Sequence, residues 1–432
     1  MKIVNKILLY SSIGISILFN INYANSLSDS RNNPRISDIS NNINSNIIKP
    51  VIVQIKDSAI SQTINYIKND SRILEGGDEW GYLSQKMFGA MQNLESKHKF
   101  TAKSGFNKVF KGFSADLTTQ QINELAKNPA IKSIEPDYVV HANLLNKNIL
   151  NTNSPPQVIP WGISMINATI SSSLAGNNTG VSTGSNVYVI DTGSAERHSD
   201  LVTSKFLAFG FRAKFDCNGH GTHVAGTISA IDNNSYVVGV APSIPLTSIK
   251  VLGCNGSGSV SNIVKAIDWV SVNGIKPAVI NMSLGSEISP AMDTAVENAL
   301  AQGIMIVVAA GNSATDACSS SPSHMGRLDG VITVGAVNNK GEEASFSNYG
   351  ECVDVWAPGV DILSTGLSGG TATMSGTSMA SPHVAGVTSL YRAKFPTQSP
   401  AIVEQALKND AFINGYASKD GVNIKIINAS NY

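Results

Sequence analysis

Val187-Tyr188-Val189-Ile190-Asp191-Thr192-Gly193 is a short run of β-branched and aromatic residues that ends in an acid, a hydroxyl and a glycine. So short a continuous apolar run, bounded by turn residues, reads as a strand covered on both faces. Similar runs follow at Thr247 to Val251, Ala278 to Met282, Ile304 to Ala309 and Val331 to Val334, with helical stretches from Val260 to Val272 and from Ala291 to Gly303 between them. Strands alternating with helices predict a mostly parallel sheet with helices on both sides, a three-layer α/β domain over residues 161–432. Sites in such sheets gather at the carboxyl ends of the strands, where Asp191 falls. By itself, an aspartate there is more often a turn or cap residue than a functional one.

Two longer boxes carry more. In Gly219-His220-Gly221-Thr222-His223-Val224-Ala225-Gly226-Thr227, small residues let a helix begin right beside a histidine. Cys217, His220 and His223 also imitate a metal cluster, but a fourth ligand is lacking nearby except for Cys254, so a metal-dependent hydrolase is the weaker reading. Gly376-Thr377-Ser378-Met379-Ala380-Ser381-Pro382-His383-Val384-Ala385-Gly386 puts a serine near a helix start, where N–H groups and the helix dipole favour developing negative charge. Pro382 is tolerated in the first turn or so of that helix, Ser381 is the bland alternative to Ser378, and His383 reads as a packed histidine. Gly366-Leu367-Ser368-Gly369-Gly370 matches the nucleophile elbow of α/β-hydrolases, but it lacks a helix start behind the serine and the right triad order.

The three boxes, in the order Asp191, His220, Ser378, resemble the signatures of the subtilisin family of serine peptidases, with the proteinase K branch the most similar. The resemblance runs from Trp161 to about Ala411 and includes Asn255-Gly256-Ser257-Gly258, Asn281-Met282-Ser283-Leu284-Gly285, Ala309-Ala310-Gly311-Asn312 and Ser345-Phe346-Ser347-Asn348-Tyr349-Gly350. It implies a nucleophile Ser378, a base His220 and an orienting Asp191, since a serine hydroxyl needs an adjacent base and the imidazole needs its tautomer held. It also implies an oxyanion hole from the Asn312 side chain and the Ser378 backbone N–H. Gly256, Ser257 and Gly258, with Ser283, Leu284 and Gly285, would flank the cleft and pair with extended substrate, which makes selectivity broad. Walls at Ala310 and Gly311 suit an apolar or aromatic side chain just before the cut bond. The four cysteines allow three pairings in an exported chain, and the resemblance implies Cys217–Cys254 and Cys318–Cys352. It further implies a structural calcium at Asp354, although Ser323 to Gly330 is longer than the family's loop. No cofactor is expected for catalysis.

Residues 50–145 form a small α+β pattern: strands at Val51 to Lys56, Val109 to Leu117 and Ile131 to Val140, with helices at Leu83 to Lys97 and from Thr118-Thr119-Gln120-Gln121 to Leu125. This stretch resembles the ferredoxin-like inhibitory prodomain of subtilisins, which implies a chaperone and inhibitor held in the same chain and self-cleavage between Asn143 and Asn153. Residues 146–160 then read as an exposed processing linker.

The chain has 432 residues, with Lys+Arg 31 balanced by Asp+Glu 31, and 42% hydrophobic content, which excludes wholesale disorder. Net neutrality argues against nucleic acid or an anionic membrane as partner. Lys2 and Lys6 precede an apolar run from Ile7 to Tyr23 and the small residues of Ala24-Asn25-Ser26. That pattern predicts a cleaved signal peptide over residues 1–26, followed by a disordered linker over 27–49. The expectation is an exported monomer, extracellular or periplasmic, acting on polypeptides and free of the membrane. The rival from another class, a protease-shaped binding protein without activity, would lack a triad or oxyanion residue, and all four are present.

Overall fold

The computed structural model describes residues 47–63, 84–150, 155–178 and 181–432. The expected signal peptide and most of the linker after it lie outside these residues.

The first part is a four-stranded antiparallel sheet in the order β2-β3-β1-β4. Its strands are β1 (Ile48–Ile55), β2 (Ala102–Phe106), β3 (Gly112–Thr118) and β4 (Ile131–Pro136). Two helices cover one face, α1 (Gln85–His98) and α2 (Thr119–Ala126). Ser84 caps α1, and a full capping box of Thr118 and Gln121 starts α2. Strand alternation divides β1 between two cores: Val51, Val53 and Ile55 pack with Met87, Leu94 and Leu125, whereas Ile52 turns the other way.

The second part is a nine-stranded sheet in the order β18-β19-β15-β14-β13-β11-β7-β9-β8, parallel throughout except for β18 at its edge. Its central strands are β7 (Asn186–Asp191), β9 (Leu246–Lys250), β11 (Ala278–Met282), β13 (Met305–Ala309) and β14 (Val331–Val337). Towards one edge lie β15 (Val355–Pro358), β19 (Asn423–Ile426) and β18 (Phe412–Ala417), and at the other lies β8 (Thr203–Ala208). On one face pack α3 (His220–Ser229) and α6 (Thr377–Lys394), and on the other α4 (Val260–Asn273) and α5 (Pro290–Leu300). Val187 and Val189 belong to the first core and Tyr188 and Ile190 to the second, which is why the strand is apolar at every position. Ile52, Phe106 and Phe110 join the second core, so the small sheet sits on α4 and α5.

Three sequence expectations change. The run Ile131 to Val140 is two strands: β4 ends at Pro136, and Asp137 N makes the last bond to β1 by donating to the Pro50 carbonyl at 3.0 Å. The chain crosses at Asp137, whose carboxylate accepts from Ser261 N (2.8 Å) and Oγ (2.6 Å), and continues as β5 (Val139–Ala142) between β10 (Ser257–Ser259) and β12 (Leu284–Gly285). Asn146–Leu150, read as linker, forms β6 and pairs with β17 (Thr371–Ser375), which lies between it and β16 (Ile362–Thr365). Such pairing runs through backbone atoms and leaves no side-chain period to read. Pro382 is the sixth residue of α6 rather than part of its first turn.

Candidate active site

Asp191 ends β7 and His220 begins α3, and the interior closes over both. His220 Nδ1 lies 2.7 Å from Asp191 Oδ1, so the carboxylate holds that nitrogen's proton and leaves Nε2 as the basic atom. Nε2 has no hydrogen-bond partner among the described residues. The helix must start hard against β7: a Cβ on Gly221 would come within 2.1 Å of the Gly193 carbonyl oxygen. Asp216, which sequence reading passed over, organises this approach. Its Oδ1 accepts from Asn218 N and Gly219 N at 2.8 and 2.9 Å, and its Oδ2 from Thr222 N at 3.0 Å. An acid a few residues before a glycine-started helix is the signal that could have found it.

Ser378 is the second residue of α6, which packs against α3. Pro382 cannot donate to the Ser378 carbonyl four residues earlier, and Ser283 Oγ takes that acceptor instead at 3.0 Å. The Ser378 hydroxyl donates to the Ser283 carbonyl at 2.9 Å. Asn312 follows β13; its Oδ1 accepts from Thr377 N and Thr377 Oγ1, both at 2.9 Å, which directs Nδ2 elsewhere. Nδ2 is buried without a partner among the described residues, the condition of a donor set aside for a ligand. His223 and His383 differ in their partners: each is held by backbone carbonyls rather than by a carboxylate, with its other ring nitrogen unpartnered among the described residues. His223 Nε2 donates to the carbonyls of Ile362 (2.9 Å) and Ala372 (3.1 Å), and His383 Nδ1 to that of Met379 (2.8 Å). Burial pushes their pKa values down to about 3 and about 4, so both are neutral packed residues.

The proposed cleft walls come together. Ser257 and Gly258 pair with His141 and Val140, Leu284 with Ala142 and Gly285 with His141, while Gly256 accepts at its carbonyl from Ala142 N at 2.9 Å. A cavity of about 540 Å³ opens beside them, lined among others by Gly285, Ala309, Gly311, Asn312, Ser313 and Asn348. Ala310 does not line it and is buried in the first core. Asn348, also missed as a functional residue, shapes the cavity: its Oδ1 accepts from Ser313 N and Thr315 N, and its Nδ2 donates to the Ala310 carbonyl.

Cys217 bonds to Cys254 and Cys318 to Cys352. The first disulfide removes the sulfur from any Cys217–His220–His223 metal cluster. Ser368 lies in the turn between β16 and β17 with no helix behind it. Around Asp354 the donors do not fit a calcium ion: Lys408 Nζ stands 2.6 Å from Oδ1, and Oδ2 accepts from Thr333 N at 2.9 Å. Thr333 Oγ1 also takes the Ser323 carbonyl in the longer loop. Burial pushes the Asp354 carboxyl up to about 7 against the pull of Lys408. An ammonium already fills the cation's place, and among the described residues no group of three or more His, Cys, Asp or Glu could hold a metal.

The Subtilase family profile matches residues 182–426 and the Peptidase inhibitor I9 profile matches residues 51–143. The extracellular serine proteinase of Thermus sp. (strain Rt41A) is 42% identical over 312 residues, which cover 70% of this chain and 71% of that protein. Subtilisin DY of Bacillus licheniformis is 42% identical over 275 residues, 62% of this chain and 98% of that protein. Alkaline serine exoprotease A of Vibrio alginolyticus is 37% identical over 74% of this chain, and the match spans 59% of the Vibrio protein. Among solved structures, that of a cold-adapted subtilisin-like serine proteinase superposes with a TM-score of 0.55 at 37% identity, covering 62% of this chain and 97% of that one. The chain belongs to the subtilase family of serine endopeptidases and carries an I9-type inhibitor segment ahead of its peptidase domain.

Proposed function

We propose that the protein is an exported, self-processing endopeptidase in which Asp191, His220 and Ser378 form the catalytic triad and Asn312 supplies the oxyanion hole. One observation carries the reading. A buried imidazole is held by a carboxylate through Nδ1 while its Nε2 is left unpartnered, on a helix that packs against the one carrying Ser378.

Ser378 Oγ first leaves the Ser283 carbonyl and turns to His220 Nε2. It then attacks the substrate carbonyl carbon as its proton passes to Nε2, and Asp191 stabilises the imidazolium. The carbonyl oxygen, now negative, accepts from Asn312 Nδ2 and from the Ser378 N–H at the start of α6. Collapse breaks the C–N bond, and the departing amine takes the proton from Nε2. Water, deprotonated by the same histidine, hydrolyses the acyl-enzyme and returns Ser378 to its resting form. No metal or cofactor is needed for any of these steps.

Extended polypeptides add to the Ser257–Gly258 and Leu284–Gly285 edges through backbone bonds, so selectivity is broad. The bare walls at Gly285, Ala309 and Gly311 favour an uncharged side chain before the cut bond, apolar or aromatic ones included. Residues 50–145 carry the inhibitor and folding aid, the maturation cut falls between Asn143 and Asn153, and residues 161–432 form the peptidase of a monomeric product. Export rests on the leader pattern of residues 1–26, and the Thermus relative's printed name, an extracellular proteinase, supports it. A serine-directed fluorophosphonate tests the site: it labels wild type and abolishes peptide hydrolysis, and it leaves Ser378→Ala unlabelled. Labelling that persists in Ser378→Ala, or activity abolished by a chelator but not by the reagent, overturns the reading.

A further inference from the structure

We propose that the first bond this peptidase cuts is its own Asn143–Leu144 bond, with the uncharged Asn143 side chain presented to the cavity beside Gly285. The proposal rests on the triad reading above and adds to it the bond and the side chain.

The chain already lies across the cleft as a substrate would. β5 is held on both edges, with His141 opposite Ser257 on one side and opposite Gly285 on the other. The last anchor on this side is Asn143 N, which donates to the Ser283 carbonyl at 3.3 Å. Beyond it, Leu145 N donates to the Ser375 carbonyl at 3.1 Å, and β6 continues along β17 with Asn146 opposite Ser375. Lys147 Nζ donates to the Asn218 carbonyl, tying this strand to the loop just before His220. The turn between the anchored halves holds the peptide bonds that follow Asn143 and Leu144, and within it Leu144 N donates to the Ala142 carbonyl at 3.0 Å.

The carbonyl positions choose between them. A Cβ on residue 376 would come within 2.4 Å of the Asn143 carbonyl oxygen and 3.1 Å of Asn312 Nδ2. That carbonyl therefore enters the same small space as the unpartnered amide donor, and glycine at 376 is what leaves room for both. The side chains agree. The amide of Asn143 lies 3.4 Å from where a Cβ on Gly285 would stand, and it lines the cavity together with Ser313 and Asn348. Leu144 packs against the first core, and Val140, four residues before the bond, is buried in the second. Asn312 Nδ2 and the Asn143 carbonyl thus meet beside Gly376, two residues before Ser378. After cleavage, Tyr138 to Asn143 would remain between β10 and β12 as the inhibitory tail, while the strand starting at Leu144 is free to leave β17.

The test is intact mass and terminal sequencing of the full chain without its leader, sampled early, for wild type, Ser378→Ala and Asn143→Asp. The expected result is a fragment ending at Asn143 and a partner beginning at Leu144 in wild type, with Ser378→Ala intact. Asn143→Asp keeps the size and adds a negative charge to a cavity whose described lining includes Glu287 and no lysine or arginine, so processing should slow at least about tenfold. Leu144→Pro removes the N–H of the leaving amine and should leave this bond uncut. Fragments that end elsewhere in wild type, with Ser378→Ala intact, overturn the bond while leaving the triad reading standing. Cleavage at any bond in Ser378→Ala overturns self-processing itself. Wild type that stays whole while folded overturns the proposal, as does Asn143→Asp processing at the wild-type rate.

Discussion

Asp191 and Asp354 are both interior aspartates with a nitrogen base 2.7 and 2.6 Å away, yet the two pairs are built for opposite ends. At Asp354 the valences are closed. Lys408 bridges to Glu404 four residues earlier on the same helix, Thr333 N takes the other oxygen, and the ammonium stands in for a metal. At Asp191 the pair is left open: Asp191 Oδ2, His220 Nε2 and the nearby Asn312 Nδ2 have no partners among the described residues. Burying a polar atom without a partner is costly, and these three belong to the groups that acyl transfer would use. A closed pair of buried charges gives structure, and an open one gives chemistry.

The comparison breaks most sharply on turnover. Asp191→Asn should lower kcat for a peptide substrate on the order of 10⁴-fold with the melting temperature nearly unchanged, because it removes the acceptor that holds the imidazole tautomer. Asp354→Asn should do the reverse, keeping kcat within about twofold and lowering Tm. If both variants lose turnover alike, the division between an open and a closed pair is wrong.

The histidines sharpen the same division through pH. His223 and His383 have folded pKa values depressed to about 3 and about 4 by burial. The unfolded chain takes up their protons below about 6.5 and the folded chain does not, so stability falls as pH drops from about 6.5 towards 4. At pH 5 the contribution lost is roughly 2 kcal/mol for each histidine, read as the part of the urea-midpoint shift that disappears when the ring is replaced, in the Ser378→Ala background, where self-digestion cannot interfere. Raised carboxyls such as Asp354 act in the opposite direction, so the check is a difference: a midpoint shift between pH 7 and pH 5 that is the same with and without His383→Gln would mean that this ring is not held neutral.

Asn312→Leu tests whether the unpartnered amide is reserved for the reaction. The expected loss is about 10²–10³ in kcat with little change in KM. An equal loss in Tm would mark Asn312 instead as a support for Thr377. The smallest effect belongs to the closed pair. Lys408→Met leaves a buried carboxylate alone and should cost roughly 2–3 kcal/mol, less than for a fully enclosed pair because Lys408 is partly exposed. The double variant with Asp354→Asn should cost less than the sum of the two single changes. Any gain in Tm from added calcium should be equal in wild type and Asp354→Asn, since the ion has no place at this carboxylate.

Much of this was written in local pattern. The apolar runs of β7 and β11 stand in the sequence as they stand in the sheet, because strands buried on both faces need no alternation. The boxes around Asp191, His220, Asn312 and Ser378 are multi-residue, and each marks a strand end or helix start, so their chemistry was legible. Thr118 and Gln121 announced their helix through a capping box. Asp216 and Asn348 were not legible, because their work is to receive backbone N–H groups from a folded loop. Neither was the split at Pro136, where one apolar run serves two sheets.

The sequence by itself determined the parallel α/β domain, the small α+β part before it and the residues able to do acyl transfer, since local periodicity and short motifs encode these. Only the tertiary structure decided that Lys408 stands at Asp354, that Ser283 takes the carbonyl Pro382 leaves free, and that Asn143 lies in the cleft with β6 beyond it. Each of these joins residues dozens of positions apart or more, or depends on backbone pairing that any side chain permits. Such contacts are set by how the layers pack, and no window along the chain contains them.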